Sequence, residues 1–187
     1  MTEHRPLESG PLRVRLRIED YLLLEQAGAF DTYAKTELID GRIVGMNAQH
    51  RPHALTKMRL YDRLRDTLRT MDSPLLAIIE VGTTLSNENL VEPDLILTSE
   101  PEGTGFIPLQ SVALVVEVAD SSLTFELGEK AALYARHGIP EYWVADVAAQ
   151  VIHQMWTPEG EAYVERREVP FGEQLESATI ADLRILA

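Results

Sequence analysis

LVVEVADSSLTFELGEKAALYARHGIPEYWVAD, residues 114–146, is the stretch that sets the fold. Within and just before it, ALVVEVAD (113–120) is apolar at successive positions, the mark of a strand covered on both faces. FELGEKAALYARHG (125–138) reads as a helix. Gly138 is placed to end it in the left-handed conformation, and Pro140 stops any continuation. EYWVADV (141–147) returns as a strand. Upstream, LLAIIEVGTTL (75–85) is strand-like, and VEPDLILTS (91–99) is a second strand reached through the polar turn SNEN; the Gly/Pro loop EPEGTGFIP (100–108) follows.

Pro52 opens a long helix over roughly 52–71. TELIDGRIVGMNA (36–48) reads as a hairpin, because Asp40-Gly41 suits a two-residue turn whose central residues both need positive φ. RIEDYLLLEQAGA (17–29) reads as a short helix. VIHQMWT, AYVERREV and TIADLRILA supply further strands toward the C-terminal side. The order of helix, strands, helix and strand indicates an α/β or α+β domain with a mixed sheet. Residues 1–16, with Pro6, Gly10 and Pro11, read as a flexible lead-in, and 17–187 as a single domain.

The 187 residues are 45% hydrophobic, enough for a core without covalent staples. There is no cysteine, which excludes disulfides, thiolate zinc sites, iron–sulfur clusters and a cysteine nucleophile. No apolar run is long enough to span a membrane, and the N-terminal stretch lacks the apolar core of a secretory signal, so a cytoplasmic location is expected. The net charge of −13 is unevenly spread: residues 1–69 carry 12 basic and 10 acidic groups, and residues 70–187 carry 5 and 20. Such a surface repels nucleic acid at long range, so contact with DNA needs the N-terminal part or a metal. Simple solubility also accounts for the charge.

The informative residues are carboxylates in apolar strands. Glu117 sits inside LVVEVA, and Asp94 follows Pro93 directly before LIL. An unpartnered buried carboxylate is costly. A hairpin linking the two strands would bring Asp94 and Glu117 side by side, an arrangement suited to a shared proton or a divalent cation. Mg²⁺, which takes one or two carboxylates and leaves room for substrate oxygens, fits best. The alternative is an arginine for each acid, although residues 70–130 contain none. Lys130, one of three lysines against fourteen arginines, follows Leu127 by three and precedes Tyr134 by four, so it points toward the sheet. It can serve as acid, base or fixed charge. Its alternative partners are Glu126 and Glu129 on the helix surface.

The helix from Arg51 to Arg69 carries six basic and two acidic residues. It offers a phosphate-tracking surface, with Lys57, Arg59 and Arg63 as candidates. A solvated helix face neutralised by the acidic half is the other reading. His53, in the first turn, can contact a phosphate or serve structurally.

The pattern Pro93-Asp94, Glu117 in an apolar strand and an inward lysine resembles the PD-(D/E)XK nuclease superfamily. ELIDGRIV (37–44), VEPDLIL (91–97), the 114–146 segment and TIADLRI are similar to a large bacterial family grouped as restriction endonucleases of otherwise unknown function, over roughly residues 17–187. EKAALYARHGIPEYWVAD is the most specific part. The resemblance implies a restriction-endonuclease-like mixed β-sheet core flanked by helices, with extra C-terminal strands. It implies Mg²⁺ (or Mn²⁺) on Asp94, Glu117 and the Val118 carbonyl, with Asp94, Glu117, Lys130 and Glu37 as catalytic residues. Glu37 and His53 match a glutamate of the first hairpin and a histidine at the long helix's start.

This chain departs from the family at two places. Ala119-Asp120-Ser121-Ser122 stands where Ser-Pro-Ser is usual, and Glu126 stands where an aspartate is usual. The superfamily's commonest lysine position is Ala119 here, with Lys130 taking its place from the helix. The expected activity is a metal-dependent endonuclease hydrolysing DNA phosphodiester bonds, with DNA as partner and a homodimer as a plausible assembly. A catalytically weak nuclease-fold module with a binding or regulatory role is the alternative, and a hydrolase of smaller phosphate esters is a third.

Overall fold

The computed structural model describes residues 13–187. Of the flexible lead-in expected for residues 1–16, residues 1–12 lie outside the described residues. Its last part is tied down, since the Leu16 N–H donates to the Gly41 carbonyl at 3.0 Å.

Three units make up the N-terminal part of the fold. These are α1 (Ile18–Gln26), the hairpin β1 (Lys35–Ile39) and β2 (Arg42–Met46), and the long α2 (Arg51–Thr70). The hairpin turns at Asp40 and Gly41, whose φ values of 52° and 67° are those the two-residue turn demands. Then come β3 (Leu76–Ile79), β4 (Thr83–Ser86), β5 (Asn89–Val91), β6 (Leu95–Thr98), β7 (Ile107–Pro108) and β8 (Val112–Ala119). A helical crossover follows: α3 (Leu123–Phe125), a π-helical stretch at Glu126–Lys130, and α4 (Ala131–Arg136). The C-terminal strands are β9 (Glu141–Asp146), β10 (Val151–Glu159), β11 (Ala162–Pro170), β12 (Gln174–Glu176) and β13 (Arg184–Leu186). Gly138 closes the crossover with φ 73°.

The strands form a six-stranded sheet in the order β11-β10-β9-β8-β6-β3, a five-stranded sheet β2-β1-β5-β4-β7, and the small hairpin β12-β13. β8 runs antiparallel to β6 and parallel to β9, so the large sheet is mixed. Alternation along β8 divides the core. Leu114, Val116 and Val118 face Leu60, Leu64 and Leu68 of α2 and Leu183 and Ile185 near the C-terminal hairpin. Val115 and Ala119 face Leu133 and Tyr134 of α4, with Ile39 and Val91 from the small sheet. Both rows are buried, which explains why the strand's sequence is apolar throughout.

Two expected strands are each divided in the structure. LLAIIEVGTTL becomes β3 and β4, which belong to different sheets. The break falls at Glu80, whose φ of 48° no strand accommodates. VEPDLILTS likewise splits, its Val91 closing β5 in the small sheet and Leu95 opening β6 in the large one, with Pro93 between them. Proline has no N–H to donate to a ladder, which suits it to a crossing point. Among the described residues no helix is long and apolar enough to cross a membrane.

Candidate functional site

The sheet register decides where the two acids go. Leu95 pairs with Val116 in the antiparallel β6–β8 ladder, so one step further Asp94 stands opposite Glu117. Each carboxylate then takes a main-chain N–H of the other strand. Asp94 N–H donates to Glu117 Oε2 at 3.0 Å, and Val118 N–H donates to Asp94 Oδ2 at 2.9 Å. Side-chain acceptors replace the ladder where Pro93 interrupts it.

Lys130 completes the buried part. Its Nζ lies 3.0 Å from Glu117 Oε1 and 2.7 Å from Glu37 Oε2, with 1% of its side chain exposed. Tyr134, one helical turn on, donates its hydroxyl to the same Glu117 oxygen at 2.9 Å. Glu37 reaches the cluster from β1, where its Oε1 accepts the Glu92 N–H at 2.8 Å. Lys130 therefore sits between a carboxylate from each sheet. Burial disfavours its charge, but Glu117, Glu37 and Glu126 outweigh this and hold the ammonium above the usual lysine value. It is a fixed positive charge. Of the two helix partners expected, Glu129 pairs with Arg42 at 2.5 Å, and Glu126 is buried near Lys130 without an ion pair to it.

Asp94 has a second set of partners, from α2. His53 Nε2 lies 3.1 Å from Oδ2, and Lys57 Nζ lies 3.3 Å from Oδ1. Gln49 Nε2 donates to Oδ1 at 3.2 Å. Burial would raise this carboxyl, but the hydrogen bond and charge of His53, the Val118 N–H and Lys57 bring it down to about 2. Glu117 moves the other way: burial pushes it above the usual range against the pull of Lys130. The acids are thus neutralised by lysines rather than by arginines.

Lys57 and His53, expected as nucleic-acid contacts, lie beside Asp94. Both are buried. They lie four residues apart on the side of α2 that meets the sheet's end, and opposite charge draws them to Asp94. Arg59 is exposed. Arg63 Nη1 donates to the Leu186 and Ala187 carbonyls at 2.9 Å each, away from the acids. Four further residues belong to the site: Gln49, Glu80, Tyr134 and Glu126. The signal for Glu80 was an acid closing an apolar strand, LAIIE, and for Tyr134 a hydroxyl four residues after Lys130. Gln49 left none.

Gln49, His53, Glu80 and Glu126 line one cleft of about 750 Å³, walled also by the β2–α2 segment, Glu92 and Asp120–Ser122. Asp94, Glu117, Val118 and Lys130 all reach it. The donor set suits a hard divalent cation. Ala119 C=O accepts from Val147 N–H on the β9 side, so the Val118 carbonyl, one residue earlier, faces the Asp94 side. Two carboxylates and one carbonyl then edge the same opening, and Mg²⁺ asks for no larger protein set. Among the described residues no group of three or more His, Asp or Glu side chains is placed to hold a metal ion by itself.

Glu126 is the unpaired acid of the cluster. The Tyr142 hydroxyl donates to its Oε2 at 3.4 Å. Burial, reinforced by Glu117, pushes its carboxyl up to about 8. A carboxyl raised in the fold binds more protons than in the unfolded chain between pH 4.5 and 8, so stability falls as pH rises through that window. Glu126→Gln is expected to remove this slope and to stabilise the protein by roughly 3–5 kcal/mol at pH 8 but little at pH 4.5. Unfolding midpoints of both proteins across that range check it.

The family model for Uma2, described as "Putative restriction endonuclease", matches residues 18–187. The chain belongs to the Uma2 family. A search of curated proteins gave no match. Among solved structures, this Uma2 chain is similar to a putative nuclease belonging to DUF820 from Anabaena variabilis ATCC 29413. Identity is 14% and the TM-score 0.64, over 91% of this chain and 94% of that one. The shared fold is the restriction-endonuclease-like mixed sheet flanked by helices expected from the sequence, and the Uma2 match spans all the elements that build the cleft.

Proposed function

We propose that residues 17–187 form one nuclease domain that hydrolyses DNA phosphodiester bonds with a divalent cation. The observation that supports this most is the Asp94–Glu117 pair, set opposite each other by strand register at the wall of a cleft, with a buried ammonium on Glu117. Asp94, Glu117 and the Val118 carbonyl would hold Mg²⁺ or Mn²⁺. When bound, the cation supplies Lewis-acid polarisation of the phosphodiester and a lowered pKa for an attacking water.

The chain's own residues do the rest. Lys130 fixes Glu117 in one rotamer and places a permanent positive charge against the developing negative charge. Tyr134, kept protonated by burial, donates to Glu117 and holds it from the other side. Glu37 anchors Lys130, and His53 orients Asp94. Arg59, exposed on α2, and Arg63 remain candidates for tracking a phosphate backbone, together with His53 at the cleft wall and Lys57 beside Asp94. A homodimer would present two such sites to a duplex.

The test is purified protein on supercoiled plasmid with Mg²⁺ or Mn²⁺, beside Asp94→Asn, Glu117→Gln and Lys130→Ala. Cleavage is expected in the wild type and about a hundredfold or more lower in each variant. Equal activity in all four overturns the reading by pointing to a contaminant. Metal binding without cleavage replaces it with a nuclease-fold binding module. Turnover of a model diester without DNA cutting replaces it with a smaller phosphate ester as substrate.

A further inference from the structure

Lys57 is an unusual neighbour for a residue proposed to hold a cation. Its ammonium is buried, and it touches three oxygens: Glu80 Oε1 at 2.5 Å, Gln49 Oε1 at 2.7 Å and Asp94 Oδ1 at 3.3 Å. Of the two Asp94 oxygens, Oδ2 is committed to Val118 N–H and His53. Oδ1 has only Gln49 and Lys57 among the described residues. Lys57 therefore stands at the oxygen that a metal would use.

We propose that Lys57 is a resident competitor for the divalent cation: its ammonium occupies Asp94 Oδ1 until the metal displaces it onto Glu80 and Gln49. The inference rests on the metal reading given above. Charge favours it, since an ammonium and a divalent cation cannot share one oxygen at contact distance without strong repulsion in a buried site. Geometry favours it too. The Asp94 contact is the longest of the three, and Glu80 is half-exposed at the cleft, so Lys57 keeps two partners when it lets go of Asp94. The exchange needs a small movement of the chain's end and no change of backbone. Metal affinity is then set by a difference between two ion pairs, with the cleft never left as an uncompensated acid pair.

The experiment measures Mn²⁺ binding by titration calorimetry, with metal-induced shifts in melting temperature as a second readout. The proteins are wild type, Lys57→Met, Lys57→Gln and Lys35→Met. Lys35 is the control, because it lines the same cleft and pairs with Glu37 and Glu92 but not with Asp94. Both Lys57 variants are expected to bind about tenfold tighter or more, with a change several times smaller for Lys35→Met. Wild type without detectable binding beside a Lys57 variant that binds supports the same conclusion. Equal tightening by Lys57→Met and Lys35→Met overturns it, since net charge alone then explains the effect. Wild type that binds Mn²⁺ while the Lys57 variants bind no tighter overturns it and leaves the metal site standing. No binding by any of the four overturns the metal reading, and the competition with it.

Discussion

Lys130→Met is expected to destabilise the protein by about 3–5 kcal/mol, the range for stranding a buried charge by removing its partner. Glu37 and Glu117 share this ammonium, both are buried, and among the described residues Glu37 keeps only the longer ion pair with Lys35, at 3.8 Å, once it is gone. Methionine fills much the same volume, so the loss reports charge and not a cavity. Denaturant unfolding of the two proteins measures it. Glu117→Gln in the Lys130→Met background is expected to recover part of the loss, because it removes one of the stranded charges; a double variant less stable than Lys130→Met would contradict the account.

Glu141 carries the second large effect. It is fully buried at the start of β9, and among the described residues no lysine, arginine or histidine pairs with it. Its charge is held by donors instead. Oε1 accepts from Trp143 Nε1 and Gln154 Nε2, both at 2.6 Å. Oε2 accepts from Ser177 Oγ at 2.7 Å, Thr179 Oγ1 at 2.8 Å, and the Ala178 and Thr179 N–H groups at 3.0 Å. One side chain thus fastens residues 177–179 to the large sheet. Glu141→Gln keeps the shape but turns an NH₂ toward donors, and is expected to cost about 2–4 kcal/mol. Glu141→Ala is expected to cost more. Hydrogen exchange should show the opening first in residues 174–187, while β8 stays protected. Uniform loss of protection would overturn the anchoring role.

What the sequence made legible has a physical pattern. Asp94 and Glu117 were readable because an acid in an apolar strand is costly, and two adjacent strands can place such acids together. The Asp40-Gly41 hairpin was readable because few residues accept positive φ. Lys130 was readable from helical spacing, although the π-helical stretch that ends on it was not. The failures share a cause: they depend on partners far along the chain. Lys57 turns inward because of Glu80 and Asp94, 23 and 37 residues away. Glu141 looks like an ordinary strand start until Ser177 and Thr179 close over it. The exchange of chain between sheets at Glu80 and Pro93 is invisible to hydrophobic periodicity, which reports burial and not which sheet does the burying.

The ammonium of Lys130 also has a mechanical meaning. Its two carboxylates come from different layers, Glu37 from the small sheet and Glu117 from the large one. It acts as a rivet through the seam between them. Sliding one layer against the other would shear the rivet before it disturbed the chemistry elsewhere, so alignment of the layers and readiness of the cleft are a single property. Substitutions far out on the small sheet can disarm the cleft without touching any residue that lines it.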